Sequence, residues 1–336
     1  MPKLLHITAL VDGSTVPEQD PQFTGPPVEP YTEFHVIKAL RLLDYRVSII
    51  AVRQSLADLV RELEEKKPDM VFNLTEEFRG DRVMDTNIAG LLEMLGIPFT
   101  GTGPAGLMLC RDKCLCKELL SHHKIRVPRF ISIPKDRFPR IPRNLSYPLV
   151  VKPVFEDGSE GISNASLVHN QTALRQRAEF VHSHWAQPVI AEEYIPGREF
   201  YISLLGNKRT VVFPIRECSF DSDGQDGPRL ATYRVKWNSR YRQKWNINFG
   251  FADLEPALTR QIHRTCKKVF RVLRLRDYAR IDLRLTPENK LIILEANPNP
   301  DIACGEEVAE SAQKAGVSYA QLIERIVRHA WKRYHQ

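Results

Sequence analysis

The chain has 336 residues, of which 43% are hydrophobic and 26% are charged, and its formal net charge is +7. This composition excludes a disordered tail, a fibrous repeat and a small disulfide-bonded scaffold, and the length allows two or three packed units. No run of about 18 apolar residues is present to span a membrane, and the start, MPKLLHITALVDG, is typical of a first strand rather than a signal peptide. A cytoplasmic protein with no membrane partner is therefore expected.

The first hundred residues alternate strand and helix patterns. In chain order, the pattern predicts strand 3–10, helix 31–43, strand 47–52, helix 56–66, strand 70–74, helix 88–95 and strand 97–99. This order predicts an α/β domain over residues 1–101, in which helices cover a parallel sheet. The absence of G-x-G-x-x-G argues against a dinucleotide. The stretch Asp12–Pro30 predicts a long loop after the first strand, where parallel sheets place their ligands.

Two further units are predicted, over residues 102–195 and 196–336. The central unit leads an apolar strand into the loop PVFEDGSEG. The third unit is expected to contain strands, a variable loop near 218–248, one long helix and a closing hairpin. The elements predicted in the central unit are helix 112–123, strand 130–133 and strand 149–152.

The long helix of the third unit is strongly basic. Eight Lys or Arg residues and a single acid, Asp277, lie between Arg260 and Arg280. Such a stripe attracts nucleic acid, although a solvated helix face or a pocket for a small anion is the commoner interpretation. Since no basic motif interleaved with aromatic residues supports RNA binding, no nucleic-acid partner is predicted.

The closing hairpin presents a candidate metal site that follows from strand alternation. Arg280 and Asp282 share one face of the strand YARIDLRL, because successive side chains point to opposite faces. With the turn centred near Glu288, Asp282 lies opposite Glu295, and Asn297 shares that face. Two carboxylates and an amide oxygen are hard ligands suited to Mg²⁺. The alternative is a solvated strand face that carries a surface ion pair.

The segment LVVKPVFEDGSEGIS is a candidate phosphate-binding loop. It leads Lys152 from an apolar strand into a loop that contains Gly158, Ser159 and Gly161. Glycines let backbone N–H groups approach phosphate oxygens, and the lysine adds positive charge. The segment is not a Walker A motif, and clusters of Gly, Ser and Asp also form plain turns.

The segment VIAEEYIPGREFYISLLG carries Glu192 and Glu199 on two apolar strands that a Pro-Gly turn connects. A carboxylate that faces inward is costly unless it is paired or hydrogen-bonded to a ligand. Either glutamate, taken singly, is also consistent with an ion pair on an edge strand.

In chain order, these segments together resemble the ATP-grasp superfamily, and within it the D-alanine–D-alanine ligase branch. The resemblance runs through PDMVFNL, GLLEMLGIPFTGTGPAGLMLCRDK, LVVKPVFEDGSEGIS, AEEYIPGREF, YARIDLRL and LEANPNP. Several blocks in the family's order are far more specific than any one of them. The resemblance implies an N-terminal Rossmann-like domain followed by two ATP-grasp subdomains, which sandwich ATP between antiparallel sheets.

The resemblance also implies roles for individual residues. Arg280 resembles the arginine that stabilises the tetrahedral intermediate, and Lys152 is the second residue with an implied catalytic role. Asp282, Glu295 and Asn297 resemble ligands of Mg²⁺ or Mn²⁺, in agreement with the hairpin argument. The residues that resemble ATP contacts are Lys113 and Lys152 at the phosphates, Ser159 in the phosphate loop, Glu192 and Ile195 at the adenine, Glu199 at the ribose hydroxyls, and Lys236 on the nucleotide side.

The implied activity is an ADP-forming ligation of a small-molecule carboxylate to an amine. A substrate carboxylate takes the γ-phosphate of ATP and becomes an acyl phosphate, and Mg²⁺ and the lysines neutralise the charge that develops. An amine then attacks the activated carbonyl, and phosphate leaves. A homodimer is also implied, since dimers are common among the relatives.

The departures from the family concentrate in the amino-acid pocket. The family's G-G-x-S-x-E-x-x-V-S start is replaced by VDGSTVPEQDP, in which Glu18 is a candidate substrate residue. Its H-G pair is replaced by LTEEFRG, in which Glu77 follows Glu76 as a candidate. The segment NPNPDI places Asp301 at a family glycine, and Glu306 stands where the family has a substrate-binding serine.

These acids predict a different second substrate. Carboxylates near an incoming D-alanine repel its carboxylate by about 1 to 4 kcal/mol per pair, depending on the dielectric. An amine that lacks the carboxylate, or bears an extra positive charge, is therefore expected. The alternative is that Asp301–Glu307 forms an exposed turn that touches nothing.

Three other functions remain open. A true D-alanine–D-alanine ligase keeps the same ATP site. A small-molecule phosphotransferase on the same fold has no need of a stabilised tetrahedral carbon, so the retention of Arg280 argues against it. A degenerate ATP-binding scaffold is expected to lose a phosphate lysine or a metal ligand, and this sequence retains all of them.

Overall fold

The computed structural model describes residues 5–25, 31–220 and 230–335. These residues form a three-stranded, a four-stranded and a six-stranded sheet with helices packed on them. This mixed architecture confirms the predicted α/β fold class. None of the helices in the described part of the chain has both the length and the apolar character to cross a membrane.

The N-terminal unit is a parallel sheet covered by helices. Its elements are β1 (His6–Asp12), α1 (Thr32–Leu42), β2 (Arg46–Val52), α2 (Leu56–Lys66), β3 (Met70–Asn73) and α3 (Asp85–Met94). The strand order is β2-β1-β3, with parallel pairing throughout, as the alternating pattern predicts. The predicted strand 97–99 is reduced to a single bridge between Val71 and Phe99.

The central unit is an antiparallel sheet with one long helix. Its elements are α4 (Pro104–Arg111), α5 (Lys113–His122), β4 (Phe130–Ile133), β5 (Leu149–Pro153), β6 (Leu167–Val168), α6 (Gln171–Trp185) and β7 (Val189–Glu193). The strand order is β4-β7-β5-β6. Helix α5 begins where it does because the Asp112 side chain accepts hydrogen bonds from the backbone N–H groups of Cys114 and Leu115. This cap places Lys113 in the first turn of the helix.

The third unit is built around a six-stranded antiparallel sheet. Its elements are β8 (Arg198–Leu205), β9 (Val211–Val212), β10 (Arg216–Phe220), α7 (Tyr233–Trp237), α8 (Ser239–Lys244), β11 (Ile247–Phe251), α9 (Pro256–Val272), β12 (Tyr278–Leu285), β13 (Leu291–Pro298), α10 (Glu307–Lys314) and α11 (Tyr319–Tyr334). The strand order is β11-β10-β8-β12-β13, with β9 paired to β8. The closing hairpin is therefore β12 and β13.

Two expectations for this unit are wrong. The predicted variable loop near 218–248 contains the end of β10, two short helices and the first two residues of β11, while residues 221–229 lie outside the described part of the chain. Helix α7 begins at a Thr232 cap, whose hydroxyl accepts a hydrogen bond from the Val235 backbone. The chain also continues past the hairpin into α10 and α11, which the sequence pattern did not assign.

The last helix packs in a hydrophobic cluster that contains residues of both the first unit and its own sheet. Leu322, Ile326 and Val327 of α11 are fully buried and belong to the same hydrophobic cluster as Ile7 of β1 and Leu40 of α1. This cluster links the start of the chain to its last helix. The predicted unit boundaries at 101/102 and 195/196 stay predictions, and the packing shows that the first and third units share one core.

Candidate active site

A cavity of about 770 Å³ lies where the three units meet. The N-terminal unit contributes Glu76 and Arg82, and the loop after β5 contributes Glu156 to Gly158. Helices α5 and α7 contribute Lys113 and Lys236. The floor is formed by β12, β13 and the segment that follows β13. Each of the three units thus supplies charged side chains to one cavity.

The hairpin brings the predicted carboxylates and amide together. Asp282 is paired with Glu295 across the two strands, and Arg280 with Asn297, as strand alternation predicts. Asp282 is 4% exposed and Arg280 is 9% exposed, so the alternative of a solvated strand face is wrong. The Arg280 guanidinium donates from Nε and Nη2 to both oxygens of Asp282, at 2.8 and 3.1 Å.

Lysines surround Glu295. The Nζ atom of Lys113 lies 3.2 Å from its Oε1 atom and also donates to the carbonyl of Glu156. Burial would raise the pKa of Glu295, but the charges of Lys113, Lys152 and Lys236 outweigh it and lower that pKa to about 2. Glu295 is therefore ionised at neutral pH.

The donor set suits Mg²⁺. Within the described residues, no group of three His, Cys, Asp or Glu side chains that could hold a metal ion is found. Asp282, Glu295 and Asn297 would supply two carboxylates and one amide oxygen, and phosphate oxygens and water would complete a magnesium shell. The buried Nδ2 atom of Asn297 has no hydrogen-bond partner among the described residues.

Glu192 is buried between two lysines. Its carboxylate bonds to Nζ of Lys152, and its Oε2 atom lies 3.1 Å from Nζ of Lys117. Burial would raise the pKa of Glu192, but Lys117 and Lys152 outweigh that effect and lower it. Glu192 lies on β7, which has neighbours on both sides, so the alternative of an edge-strand ion pair is wrong. The sequence argument missed Lys117, although it follows Lys113 by four residues on the same helix face.

Glu199 is also paired internally. Both Nε and Nη2 of Arg284 donate to its Oε2 atom, and the Tyr201 hydroxyl donates to its Oε1 atom at 3.0 Å. The third donor of Arg284, Nη1, bonds to the carbonyl of Ile195. Since β8 lies between β10 and β12, the edge-strand alternative is wrong here too. Sequence reasoning missed Arg284, whose signal was its place on the Asp282 face of YARIDLRL.

Hydrogen bonds connect the candidate phosphate loop to the first and third units. Asp157 accepts hydrogen bonds from Arg82 of the first unit and, at 2.6 Å, from Arg111 of α4. The Ser159 hydroxyl donates to the Ala231 carbonyl of the third unit at 2.8 Å. Gly158 has φ +58°, a left-handed conformation that glycine adopts without strain.

The segment after β13 lines the cavity with acids. Glu307 Oε2 accepts a hydrogen bond from Nη1 of Arg280 at 3.2 Å. Asp301 accepts hydrogen bonds from the Thr32 hydroxyl at 2.5 Å and from the Ala303 backbone at 2.8 Å. Burial, followed by the charges of Asp301 and Glu307, raises the pKa of Glu306 to about 7. The alternative of an exposed turn that touches nothing is therefore wrong.

Two candidate substrate residues lie away from this cavity. Glu18 is exposed on the loop after β1, and Glu77 is absent from the cavity wall, which its neighbour Glu76 lines instead. The reason is local, because the Glu76 backbone N–H is bound to Oδ2 of Asp12 at 2.9 Å, which fixes the orientation of this turn. Glu76 therefore lines the cavity, and the substrate roles of Glu18 and Glu77 stay predictions.

Comparisons with known proteins agree on one family. The family model described as D-ala D-ala ligase C-terminus matches residues 119–328. An uncharacterized protein of Sinorhizobium fredii is 35% identical over 79% of this chain and 75% of its own length. A D-alanine–D-alanine ligase of Bordetella petrii is 30% identical over 75% of this chain and 73% of its own length.

Solved structures share the fold. The D-alanine–D-alanine ligase of Bacillus anthracis in complex with ATP matches with a TM-score of 0.76 at 21% identity, covering 98% of this chain and 99% of that chain. The VanG D-Ala:D-Ser ligase of Enterococcus faecalis matches with a TM-score of 0.69 at 19% identity, covering 97% and 99%. These likenesses extend over all three units.

Proposed function

The chain belongs to the D-alanine–D-alanine ligase family, and from that premise we propose that it joins a carboxylate to an amine other than D-alanine. It is an ADP-forming ATP-grasp ligase that acts on small molecules and uses ATP and Mg²⁺. The identity of the amine is the new part of the proposal, and the acids after β13 support it.

The basic side of the cavity is proposed to hold the triphosphate. Lys113 and Lys236 line this side, and Lys152 lies behind them on Glu192. Asp282, Glu295 and Asn297 are the residues that would hold Mg²⁺, which neutralises charge on phosphate oxygens when it is bound. Ser159 and the loop after β5 cover this end and keep water away from it.

The reaction is proposed to proceed in two displacements. An oxygen of the substrate carboxylate attacks the γ-phosphorus of ATP, the bond to the β-γ bridging oxygen breaks, and ADP and an acyl phosphate form. The amine nitrogen then attacks the acyl carbon, a proton leaves the nitrogen, and inorganic phosphate departs with the bonding electron pair. Arg280, which is buried and faces the cavity, stabilises the oxyanion of the tetrahedral state.

The contact between Glu307 and Arg280 carries the proposal about the amine. An amino acid entering with its amine toward the acyl carbon brings its own carboxylate toward the cationic Arg280. In this chain Glu307 already occupies that guanidinium at 3.2 Å, and Glu306 and Asp301 lie close by. The protein thus supplies the negative charge itself, which favours an amine that is cationic and lacks a carboxylate.

The test compares matched amines. MgATP and a panel of carboxylates are supplied with D-alanine or with ethylamine, its decarboxylated counterpart, and then with larger pairs of the same kind. We measure release of ADP and phosphate, and product mass by mass spectrometry. Turnover that requires both a carboxylate and a carboxylate-free amine, with a new amide mass, is the expected result.

Other outcomes identify the other functions. Turnover with D-alanine alone would contradict the proposed amine and establish the activity that the Bordetella petrii relative is named for. A phosphorylated product without an amide would indicate a phosphotransferase. The double variant Glu306→Ser, Glu307→Leu is expected to shift preference toward D-alanine, whereas Glu310→Gln, on the same helix as Glu307, leaves the preference unchanged.

A further inference from the structure

A single guanidinium connects two residues of the proposed nucleotide site. Arg284 on β12 lies directly opposite Glu199 on β8. Its Nε and Nη2 atoms donate to Glu199 Oε2 at 3.0 and 2.7 Å, and its Nη1 atom donates to the Ile195 carbonyl at 2.6 Å. The two side chains are 4% and 7% exposed. All three bonds therefore lie in the interior, where misplacing either charge is costly.

The position of Arg284 on the sheet places it on the same strand face as a proposed magnesium ligand. Arg284 follows Asp282 by two residues, so the two side chains share one face of β12 and are separated by about 7 Å along the strand. Asp282 and Glu295 mark the proposed phosphate end. A nucleotide that extends along this face from its phosphates next meets Arg284 and Glu199.

Arg284 also fixes the link between the two sheets. Residues 194–197 connect β7 of the four-stranded sheet with β8 of the six-stranded sheet. Arg284 holds this link at the Ile195 carbonyl, and its guanidinium also lies 5.1 Å from the ring centroid of Tyr194. The Ile195 peptide is thereby held at a set position relative to Glu199.

The hydrogen bonds leave Glu199 with little remaining capacity. A carboxylate offers about four acceptor sites. Arg284 uses two of them on Oε2, and the Tyr201 hydroxyl uses one on Oε1. The described part of the chain therefore leaves one acceptor site on Oε1, which is enough for one hydroxyl donor.

We propose that Arg284 is a positioning residue that orients Glu199 and the Ile195 peptide toward the sugar and base of the nucleotide and restricts Glu199 to one ribose hydroxyl. This inference rests on the proposed function, which places ATP on this face. Burial would raise the pKa of Glu199, and the Arg284 guanidinium outweighs it, so the acceptor stays ionised.

The inference is tested by measuring nucleotide binding, which does not require the carboxylate or amine substrate to be known. Calorimetry measures the affinity of the full chain for MgATP, Mg-2′-deoxyATP and Mg-3′-deoxyATP. The wild-type protein is expected to bind one deoxynucleotide about tenfold more weakly than ATP and the other nearly as well as ATP. Arg284→Met is expected to bind ATP about tenfold more weakly and to lose the distinction between the two deoxynucleotides. Arg284→Lys keeps the positive charge but lacks the planar guanidinium. It is expected to recover part of the ATP affinity and part of the distinction between the two deoxynucleotides.

The matched control is Arg198→Met. Arg198 also makes a two-pronged ion pair from β8, with Glu217, but it is exposed and points to the other face of the sheet. This variant is expected to bind all three nucleotides as the wild-type protein does.

Three results separate the possible failures. Unchanged affinity and unchanged discrimination in a folded Arg284→Met variant would overturn the inference. If circular dichroism shows that Arg284→Met is unfolded, the Arg284→Lys variant serves as the test instead. Discrimination between the two deoxynucleotides equal to that of the wild-type protein in Arg284→Lys would also overturn the inference. Failure of the wild-type protein to bind MgATP would instead contradict the proposed function.

Discussion

At the scale of single residues, the cavity draws its charges from different elements. Lys113 and Lys236 lie on α5 and α7, Asp301 and Glu306 lie on the segment after β13, and Arg280 lies on β12. Under the proposed function, the lysines are expected to bind the triphosphate, and the two acids are expected to bind the ammonium group of the amine. Attraction between opposite charges would then orient both proposed ligands.

Asp12 provides a test of a buried carboxylate. It ends β1, is 5% exposed, and its Oδ1 atom has no hydrogen-bond partner within residues 5–25, 31–220 and 230–335. Burial is the main cause that raises its pKa from 3.8 to about 7. Folding therefore favours the protonated form, and the free energy of unfolding falls as the pH rises from about 4 to 7. We expect Asp12→Asn to stabilise the protein at pH 8 by about 1 to 3 kcal/mol.

The measurement is urea unfolding at pH 4 and at pH 8. The gain of Asp12→Asn is expected to be larger at pH 8, because only there does the wild-type protein carry the buried charge. Asp136→Asn, at an exposed site in the connector between β4 and β5, is expected to change stability at neither pH. An equal gain at both pH values would contradict the argument.

Some individual contacts follow from the sequence and others do not. The pairing of Asp282 with Glu295 follows from strand alternation and turn length, both of which are local properties. The pairing of Lys117 with Glu192 joins residues 75 positions apart, and no periodicity fixes which cation reaches which acid. Long-range ion pairs of this kind depend on how sheets and helices dock, which one sequence does not specify.

At the scale of elements, Gly197 is the tightest point of the link between β7 and β8. Its φ is +126°, and a Cβ atom placed there would lie 2.0 Å from the Leu285 carbonyl oxygen at the end of β12. We expect Gly197→Ala to destabilise the protein by about 2 kcal/mol or more, because backbone strain adds to the clash. Thermal and urea unfolding measure this loss.

Gly250→Ala is the comparison for Gly197→Ala. Gly250 also lies in the third unit, on β11, but nothing is within 4 Å of an added Cβ atom. We expect its effect to be below about 1 kcal/mol. Equal losses of unfolding free energy in the two variants would contradict the prediction that a side chain at position 197 strains the backbone and clashes with Leu285.

Helices were predicted correctly where the periodic pattern of apolar residues was long, and were missed where the helix was too short to show one. The helix predicted at 56–66 is α2, with the same bounds, since it combines apolar spacing with a Ser55 cap. The short helices α7 and α8 have five and six residues, too few for a periodic signal. Helix α11 did carry a signal, because Ser318 and Gln321 form a capping box ahead of an apolar stripe.

At the scale of the whole molecule, ligand binding is expected to couple the units. The proposed ATP residues on helices and strands come from α5, β5, β7, β8 and α7, so bound nucleotide would bridge the central and third units. At about 100 times its Kd, MgATP should raise the free energy of unfolding by about 2.7 kcal/mol. Thermal unfolding with and without MgATP measures the gain, and a chelator is expected to remove most of it.

A variant isolates the contribution of the metal ligands. Asp282→Asn is expected to lose most of the stabilisation by MgATP, because one carboxylate of the proposed magnesium set is neutralised. Asp253→Asn changes an exposed acid on the same unit, and this variant is expected to keep the stabilisation by MgATP. Full stabilisation of Asp282→Asn by MgATP would contradict the assignment of Asp282 as a ligand.

The packing of α11 against α1 has a consequence for synthesis on the ribosome. Ile7, Val36 and Leu40 are translated early, yet they are covered by Leu322 and Ile326, which emerge nearly three hundred residues later. Until residues 319–334 have left the exit tunnel, the nascent N-terminal sheet exposes an apolar face. Completion of this core is therefore a late step, and the growing chain offers an apolar binding surface to chaperones until residues 319–334 emerge.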